Sequence, residues 1–207
     1  MFAVGHMALA YLLGKFASRF LKVQLNLPLL LVLSIIPDGD LLLMPSLHRG
    51  PSHSIITALL LFIPLFVYFH KKAIPYFIGL ISHSLIADFF IGGQIMLFWP
   101  INHANFGLHE IGLQYIDIQS PINIAAELIL FIFSTFVLLK TGDINQFFKN
   151  KFTNLVLIIP IFTVLLPSVI GYPLSVPLLL IPSHWFYLVL FLVSTLIVIM
   201  GFFKHTK

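Results

Sequence analysis

Long apolar runs occupy most of this chain and constrain its fold more than any other feature. A helix of roughly 20 apolar residues crosses the hydrocarbon core of a bilayer, and seven segments reach or approach that length. They run over residues 2–21, 27–44, 53–70, 73–92, 122–140, 153–171 and 184–203. Only 9% of the residues are charged, against about 25% in soluble domains. The sequence therefore predicts an all-α polytopic membrane helix bundle with about seven transmembrane helices, in a single domain over residues 1–207.

The first segment is the weakest of the seven, because Lys15 and Arg19 interrupt its end. A secretory signal peptide is the alternative, but its basic residues would precede the apolar stretch and a small-residue cleavage site would follow it. Neither feature is evident here. We therefore expect the first segment to remain in the protein as a helix.

The basic residues lie between the apolar segments in a strongly one-sided pattern. If all seven segments span, every lysine and Arg19 fall on one face, which the positive-inside rule makes cytoplasmic. These residues are Lys15, Arg19, Lys22, Lys71, Lys72, Lys140, Lys149, Lys151, Lys204 and Lys207. This predicts an inner (plasma) membrane protein with its N-terminus outside and its C-terminus inside. Membrane lipids are the expected partners, and the scattered charge does not favour nucleic acid.

Most histidines and acidic residues fall on the opposite, outer face, and the densest group spans residues 36–40 (IPDGD) and 48–54 (HRGPSHS). Asp38 and Asp40 follow a proline and flank a glycine, which favours a tight turn. His48 and His53 belong to the same connection, where a serine is available to cap the next helix. Imidazole and carboxylate together suit zinc, manganese or iron, and the chain has no cysteine to supply thiolate. The alternative is a polar loop with ordinary helix caps.

Two further ionisable residues, His83 and Asp88, lie in the otherwise apolar fourth segment. Such groups are costly inside a membrane and usually mark function. A spacing of five residues is poor for placing two ligands on one face of an α-helix, and a π-bulge would correct it. His6, in the first segment, is a further candidate ligand. The alternative is that these residues hydrogen-bond to neighbouring helices.

Other polar residues of the outer face are assigned less direct roles. Arg49 is the one basic residue there and would orient a phosphate group. Asp40 is expected to orient a ligand histidine or to act as general base, and Glu127 is the next candidate for these roles. The long connection 93–121, with His103 and His109, is predicted to form a lid or substrate-binding element. His184, beside Trp185, is interpreted as an interfacial anchor.

The ordered set of motifs resembles the YdjM-type family, described as inner-membrane-associated metal-dependent hydrolases. The resemblance rests on Gly5-His6, residues 37–40 and 48–54, Ser82-His83, Asp88 and Trp99-Pro100. It covers the motif-bearing half, residues 1–121, while residues 122–207 would be helical support. The family is distantly similar to the zinc-dependent phospholipase C and single-strand nuclease group. Carried over by position, the resemblance implies a set of metal ligands comprising His6, Asp38, His48, His53, His83 and Asp88.

These observations favour a divalent-metal hydrolase, with zinc as the first choice, that cleaves phosphoester bonds in a lipid or lipid-linked substrate at the outer face. A lipid phosphatase working through a phosphohistidine is a second enzyme class, because residues 49–53 (RGPSH) loosely match its central motif. Its other motifs are missing from the chain. A metal or proton transporter with His83 and Asp88 on its path, and a non-catalytic scaffold, are the remaining alternatives.

Overall fold

The computed structural model describes residues 1–43, 48–172 and 174–205, with the side chains of Leu43 and His205 excepted. The end of the second apolar segment, at Met44, and the predicted cytoplasmic Lys207 lie outside the described residues. Within these ranges the regular secondary structure is helical and no strand is formed, so the prediction of an all-α fold is confirmed. The connection 93–121 contains one short 3₁₀ turn. One isolated β-bridge pairs Ile116 with Ile91, which precedes the connection, and a second pairs Ile95 with Phe106.

Seven main helices follow the predicted segments. They are α1 (Ala3–Phe20), α2 (Leu27–Ile35), α3 (Ile55–Phe69), α4 (Ile74–Ser82), α5 (Pro121–Lys140), α6 (Phe152–Val169) and α7 (Ile181–His205). A π-helix, His83–Asp88, continues α4. Helix α6 is irregular, with a 3₁₀ start and a π-helical segment at Ile161–Leu165.

Four described helices are long and apolar enough to cross a membrane: α3 with its 3₁₀ extension, α5, α6 and α7. Helix α4 with its π-helical continuation is about 22 Å long at roughly 1.5 Å per residue, which is shorter than a bilayer core of about 30 Å. Helix α2 ends at Ile35, because a 3₁₀ turn at Ile36–Gly39 replaces the predicted continuation. The chain is thus a multi-pass bundle, while the count of seven spans and the orientation stay predictions.

Helix α1 lies inside the bundle, packed against α2, α4 and α5. Small residues make this close packing possible. A Cβ atom added to Gly14 on α1 would lie 2.7 Å from a Leu30 methyl group of α2, and one added to Gly79 on α4 would lie 2.5 Å from another. Leu30 therefore occupies the space that both glycines leave. This interlocking of three helices places His6, the turn after α2 and the end of α4 beside one another.

Candidate metal centre

Four side chains from three separate segments converge at one end of α1. Asp38 comes from the 3₁₀ turn after α2, His53 from the 3₁₀ turn before α3, and His83 and Asp88 from the π-helix after α4. One ligand atom from each lies within 4.8 Å of the other three. His53, His83 and Asp88 are buried, and Asp38 is partly exposed. These four residues, called the cluster below, form a group that can hold a metal ion.

The spacing within the cluster can be compared with that of a tetrahedral zinc site. Four ligand atoms at roughly 2.05 Å from a common centre lie about 3.3 Å from one another. Nε2 of His53 lies 3.1 Å from Nε2 of His83, 3.2 Å from an Asp88 oxygen and 3.5 Å from an Asp38 oxygen. Nε2 of His83 lies 3.4 Å and 3.3 Å from the same two oxygens. Five of the six distances therefore fit a small divalent cation.

The π-helix explains how His83 and Asp88 reach one point. In this segment the backbone bonds from residue i to i+5, so residues five apart stack on one face of the helix. The amide of Phe89 accordingly donates to the carbonyl of Ser84. The expected π-bulge is confirmed, and with it the spacing that an α-helix would not have provided.

The second ring nitrogen of each cluster histidine has its own partner. Nδ1 of His83 lies 2.7 Å from the carbonyl oxygen of Ser34, so Nδ1 donates to that carbonyl and Nε2 faces the other cluster residues. Nδ1 of His53 lies 3.0 Å from Oγ of Ser52 and 3.5 Å from Asp40. Protein partners of this kind orient the histidine ligands of metal sites and raise their basicity.

Asp40 lies beside the cluster and contacts two histidines, His48 and His53. Its carboxylate lies 2.8 Å from Nδ1 of His48 and accepts a hydrogen bond from Ser52. Burial alone would raise the pKa of Asp40, but hydrogen bonds from His48, His53 and Ser52 outweigh it and hold the pKa below its ordinary value. His48 groups with Asp40 and His53 in a second acidic and histidine set. The ligands implied by the resemblance are therefore not all in one group, because His48 is hydrogen-bonded to Asp40 and lies in the second set.

His6 completes the wall of the cluster on the α1 side. Its ring stacks on that of His83, with centroids 3.8 Å apart, and its Nε2 lies 3.7 Å from Asp88. The side chain is buried, yet neither ring nitrogen has a hydrogen-bond partner among the described residues. Buried polar atoms without a partner are unfavourable. A cation bound beside His6 would give one of these nitrogens a partner, although His6 is not one of the four residues whose ligand atoms converge. The donor set of two imidazoles and two carboxylates fits the divalent metal that the resemblance implies.

Arg49 approaches the cluster from the connection between α2 and α3. Its Nη2 lies 3.8 Å from the Asp88 carboxylate, and its Nη1 donates to the carbonyl of Gly92. Gly92 has φ +81°, and a Cβ atom there would lie 2.5 Å from the guanidinium. The absence of a side chain at Gly92 therefore leaves space for the guanidinium beside Asp88. The Met1 amino group lies 3.7 Å from the same carboxylate.

A cavity of about 370 Å³ adjoins the cluster on this side. Asp38, Asp88, His48 and Arg49 line its polar end. The rest of the wall is largely apolar and comes from the start of α1, the helix after Asp38, the connection 93–121, α6 and the segment beyond it. These residues include Leu41, Leu42, Val164, Tyr172 and Leu174. The cavity thus offers charged and apolar surface side by side.

Glu127 lies apart from the cluster, at the start of α1. Its carboxylate is fully buried and accepts hydrogen bonds from the amide of Phe2 and from Asn123, both at 2.8 Å. A carboxylate at this place satisfies a free amide at the helix start and interacts favourably with the helix dipole. The geometry favours a positioning role for Glu127, through α1, over that of a general base.

The remaining predicted residues are distributed around the site. His103 and His109 are exposed in the connection 93–121, and neither belongs to a group of described residues that could hold a metal. His184 is buried against Phe2, its Nδ1 beside the carbonyl of Leu180, so it is an internal residue and the anchor interpretation fits only the exposed Trp185. Ser54 caps α3 and donates to the carbonyl of Trp99. The connection is thereby fixed to the segment that carries His53.

The pattern of these motifs corresponds to a known family. The model of the YdjM inner membrane protein family matches residues 1–206. The chain belongs to that family. The predicted YdjM resemblance and the location in the inner membrane are confirmed, and the match extends through the helical second half, where sequence motifs were lacking. No curated protein and no solved structure matches this YdjM family member. The distant similarity to zinc-dependent phosphodiesterases stays a prediction.

Proposed function

We propose that this YdjM family member is a membrane-embedded, metal-dependent hydrolase of phosphoester bonds in a lipid or lipid-linked substrate. The observation that supports this most is the near-tetrahedral spacing of four ligand atoms from Asp38, His53, His83 and Asp88, at one wall of a cavity. Two imidazoles and two carboxylates suit zinc first, with manganese or iron as alternatives. A divalent ion held there would supply an acidified water, bound as a fifth ligand beside the four side chains, and would neutralise charge on phosphate oxygens.

The chain's own residues have separable roles in this proposal. Arg49 orients the phosphate, since its guanidinium faces the cluster and lines the cavity. Asp40 holds His53 and His48 in place and is the first candidate for a proton acceptor. Leu41, Leu42 and Tyr172 would contact the apolar part of the substrate. An amphipathic molecule with a phosphate head matches both parts of the cavity wall.

Elemental analysis combined with a phosphodiesterase assay tests the proposal. The native protein in detergent should contain a divalent metal and hydrolyse a model phosphodiester, and a chelator should abolish the activity. The double variant Asp38→Ala, His53→Ala should lose both metal and activity. His103→Ala is the matched control, because this histidine is exposed and belongs to no described group that could hold a metal, and it should retain both.

Two outcomes would contradict the proposal in different ways. Unchanged metal content in the double variant would refute the ligand assignment. Full activity in metal-free protein would refute the reaction class and favour a phosphohistidine mechanism, which needs no metal. Metal binding without any hydrolysis, but with metal flux into proteoliposomes, would favour a transporter.

A further inference from the structure

A second polar cavity, of about 470 Å³, lies at the opposite end of α1 and α5 from the cluster. Its walls come from two segments far apart in sequence: the end of α1 with the turn after it, and the connection between α5 and α6. The basic residues that line it are Lys15, Arg19, Lys22, Lys149 and Lys151. We call it the basic cavity. Almost half of the chain's 11 lysines and arginines meet there.

One carboxylate balances this charge only in part. Asp143 forms an ion pair with Lys15 and accepts a hydrogen bond of 2.9 Å from the hydroxyl of Tyr11. The other four cations make no ion pair with any described residue. Like charges around one cavity repel one another, and an anion bound among them would relieve that repulsion. The cavity is therefore complementary to an anionic group with several acceptor oxygens, such as a phosphate.

The walls of the basic cavity are held in place by buried polar contacts. The side-chain amide of Asn154, itself buried, donates to the carbonyls of Gln146 and Lys149 at 3.0 and 3.2 Å. The amide of Leu27 donates to the side chain of Gln146 at 3.1 Å. These contacts fix the connection between α5 and α6 against the start of α2. The cations on it are thereby presented from a defined backbone and not from a free loop.

Exposed phenylalanines accompany the cations on both walls. Phe16 and Phe20 are 73% and 78% exposed and, four residues apart, share a face of α1 next to the one that carries Lys15 and Arg19. Phe148 and Phe152, also exposed, precede and follow Lys149 and Lys151. A soluble anion would make no contact with these exposed phenylalanines, whereas the acyl chains of a lipid would pack against them.

We propose that the basic cavity is a binding site for the headgroup of an anionic phospholipid, with the acyl chains lying against the exposed phenylalanines. Basic pockets between helices at the cytoplasmic surface are known to take such headgroups. The site is separate from the cluster and requires no hydrolysis there. Phosphate is the group recognised, and the phenylalanines select the lipid over free phosphate.

Titration of purified protein with short-chain lipids tests this site. The probes are dioctanoyl phosphatidylglycerol, dioctanoyl phosphatidylcholine and glycerol 3-phosphate, and the readout is the shift in melting temperature together with lipid adducts in native mass spectrometry. Phosphatidylglycerol should bind most tightly, and added salt should weaken its binding. The double variant Arg19→Gln, Lys149→Gln should bind it roughly 30-fold more weakly.

Matched controls keep this result interpretable. Lys71→Gln, Lys204→Gln removes the same charge from outside the cavity and should bind like the native protein. Phe16→Ser, Phe20→Ser should weaken lipid binding but leave glycerol 3-phosphate unaffected. Equal affinity for the two lipids, equal losses in both charge variants, or binding of glycerol 3-phosphate as tight as that of the lipid would each overturn the proposal.

Discussion

The two ends of α1 carry polar sites of opposite character. His6 lies at the buried cluster, and Arg19, about 20 Å further along the helix, lies at the exposed basic cavity. At the first end, imidazoles and carboxylates are largely removed from water, and neighbouring ligand atoms lie 3.1–3.7 Å apart. At the second end, four cations face water and make no ion pair among the described residues. Because the first site is buried, its stability and metal binding depend on the exact positions of its side chains. Anion binding at the exposed second site depends mainly on its total positive charge.

The largest difference is expected between two single variants, each of which removes one charge from one end of α1. Asp88→Asn should lower the free energy of unfolding by about 3–5 kcal/mol, because it leaves a buried histidine pair and Arg49 without their carboxylate. Lys22→Gln, at an exposed position, should change it by less than about 0.5 kcal/mol. Denaturant or thermal unfolding in detergent measures both. Similar losses in the two variants would remove the distinction between the ends.

A smaller effect, on metal affinity, is expected at Asp40, which contacts the cluster through His53. Asp40→Asn should weaken metal binding by roughly 10- to 100-fold, because the neutral amide no longer raises the basicity of His53. Titration with a metal indicator gives the affinity. Asp117→Asn, on the exposed connection, is the control and should bind metal like the native protein. If both variants matched the native affinity, Asp40 would have no role in holding the ligand histidine.

The smallest effect is expected at Glu127, which acts on the cluster only through α1. Glu127→Gln keeps an acceptor for the amide of Phe2, so the hydrolysis rate should change by less than threefold while the melting temperature falls slightly. Loss of a general base would instead lower the rate by roughly 10²- to 10⁴-fold. Steady-state rates at several pH values separate the two cases. A loss of the larger size with unchanged melting would restore the role of base.

Much of the site was predictable because it depends on residue chemistry. The absence of cysteine, the pair of motifs at residues 36–40 and 48–54, and ionisable residues inside an apolar segment together indicated a metal site of nitrogen and oxygen ligands. The five-residue spacing of His83 and Asp88 even indicated the π-helix. These signals can be recognised in the sequence alone, because an ionisable group in an apolar segment has a high energetic cost in the membrane and usually marks a functional site.

Other features had no signal in the sequence. The carbonyl of Ser34 holds His83, and Gly92 makes room for Arg49, although serine and glycine are common in any loop or helix. His48 was indistinguishable from His53 by type and position, yet only His53 joins the cluster. Glu127 could be placed near the outer end of a helix but not against the start of α1. Each of these depends on the packing of helices that are distant in sequence.

Composition and hydropathy by themselves determined the class of this protein, because a chain so poor in charge requires a bilayer as its solvent. They also determined which residue types were available for a metal and on which loops the basic residues fall. Only the tertiary structure decided which candidates meet, since the close approach of α1, α2 and α4 around Leu30 sets the distances between side chains that no linear spacing encodes. The contacts of Asn154 and Gln146 likewise hold the connection between α5 and α6 where its basic residues share one cavity with those at the end of α1.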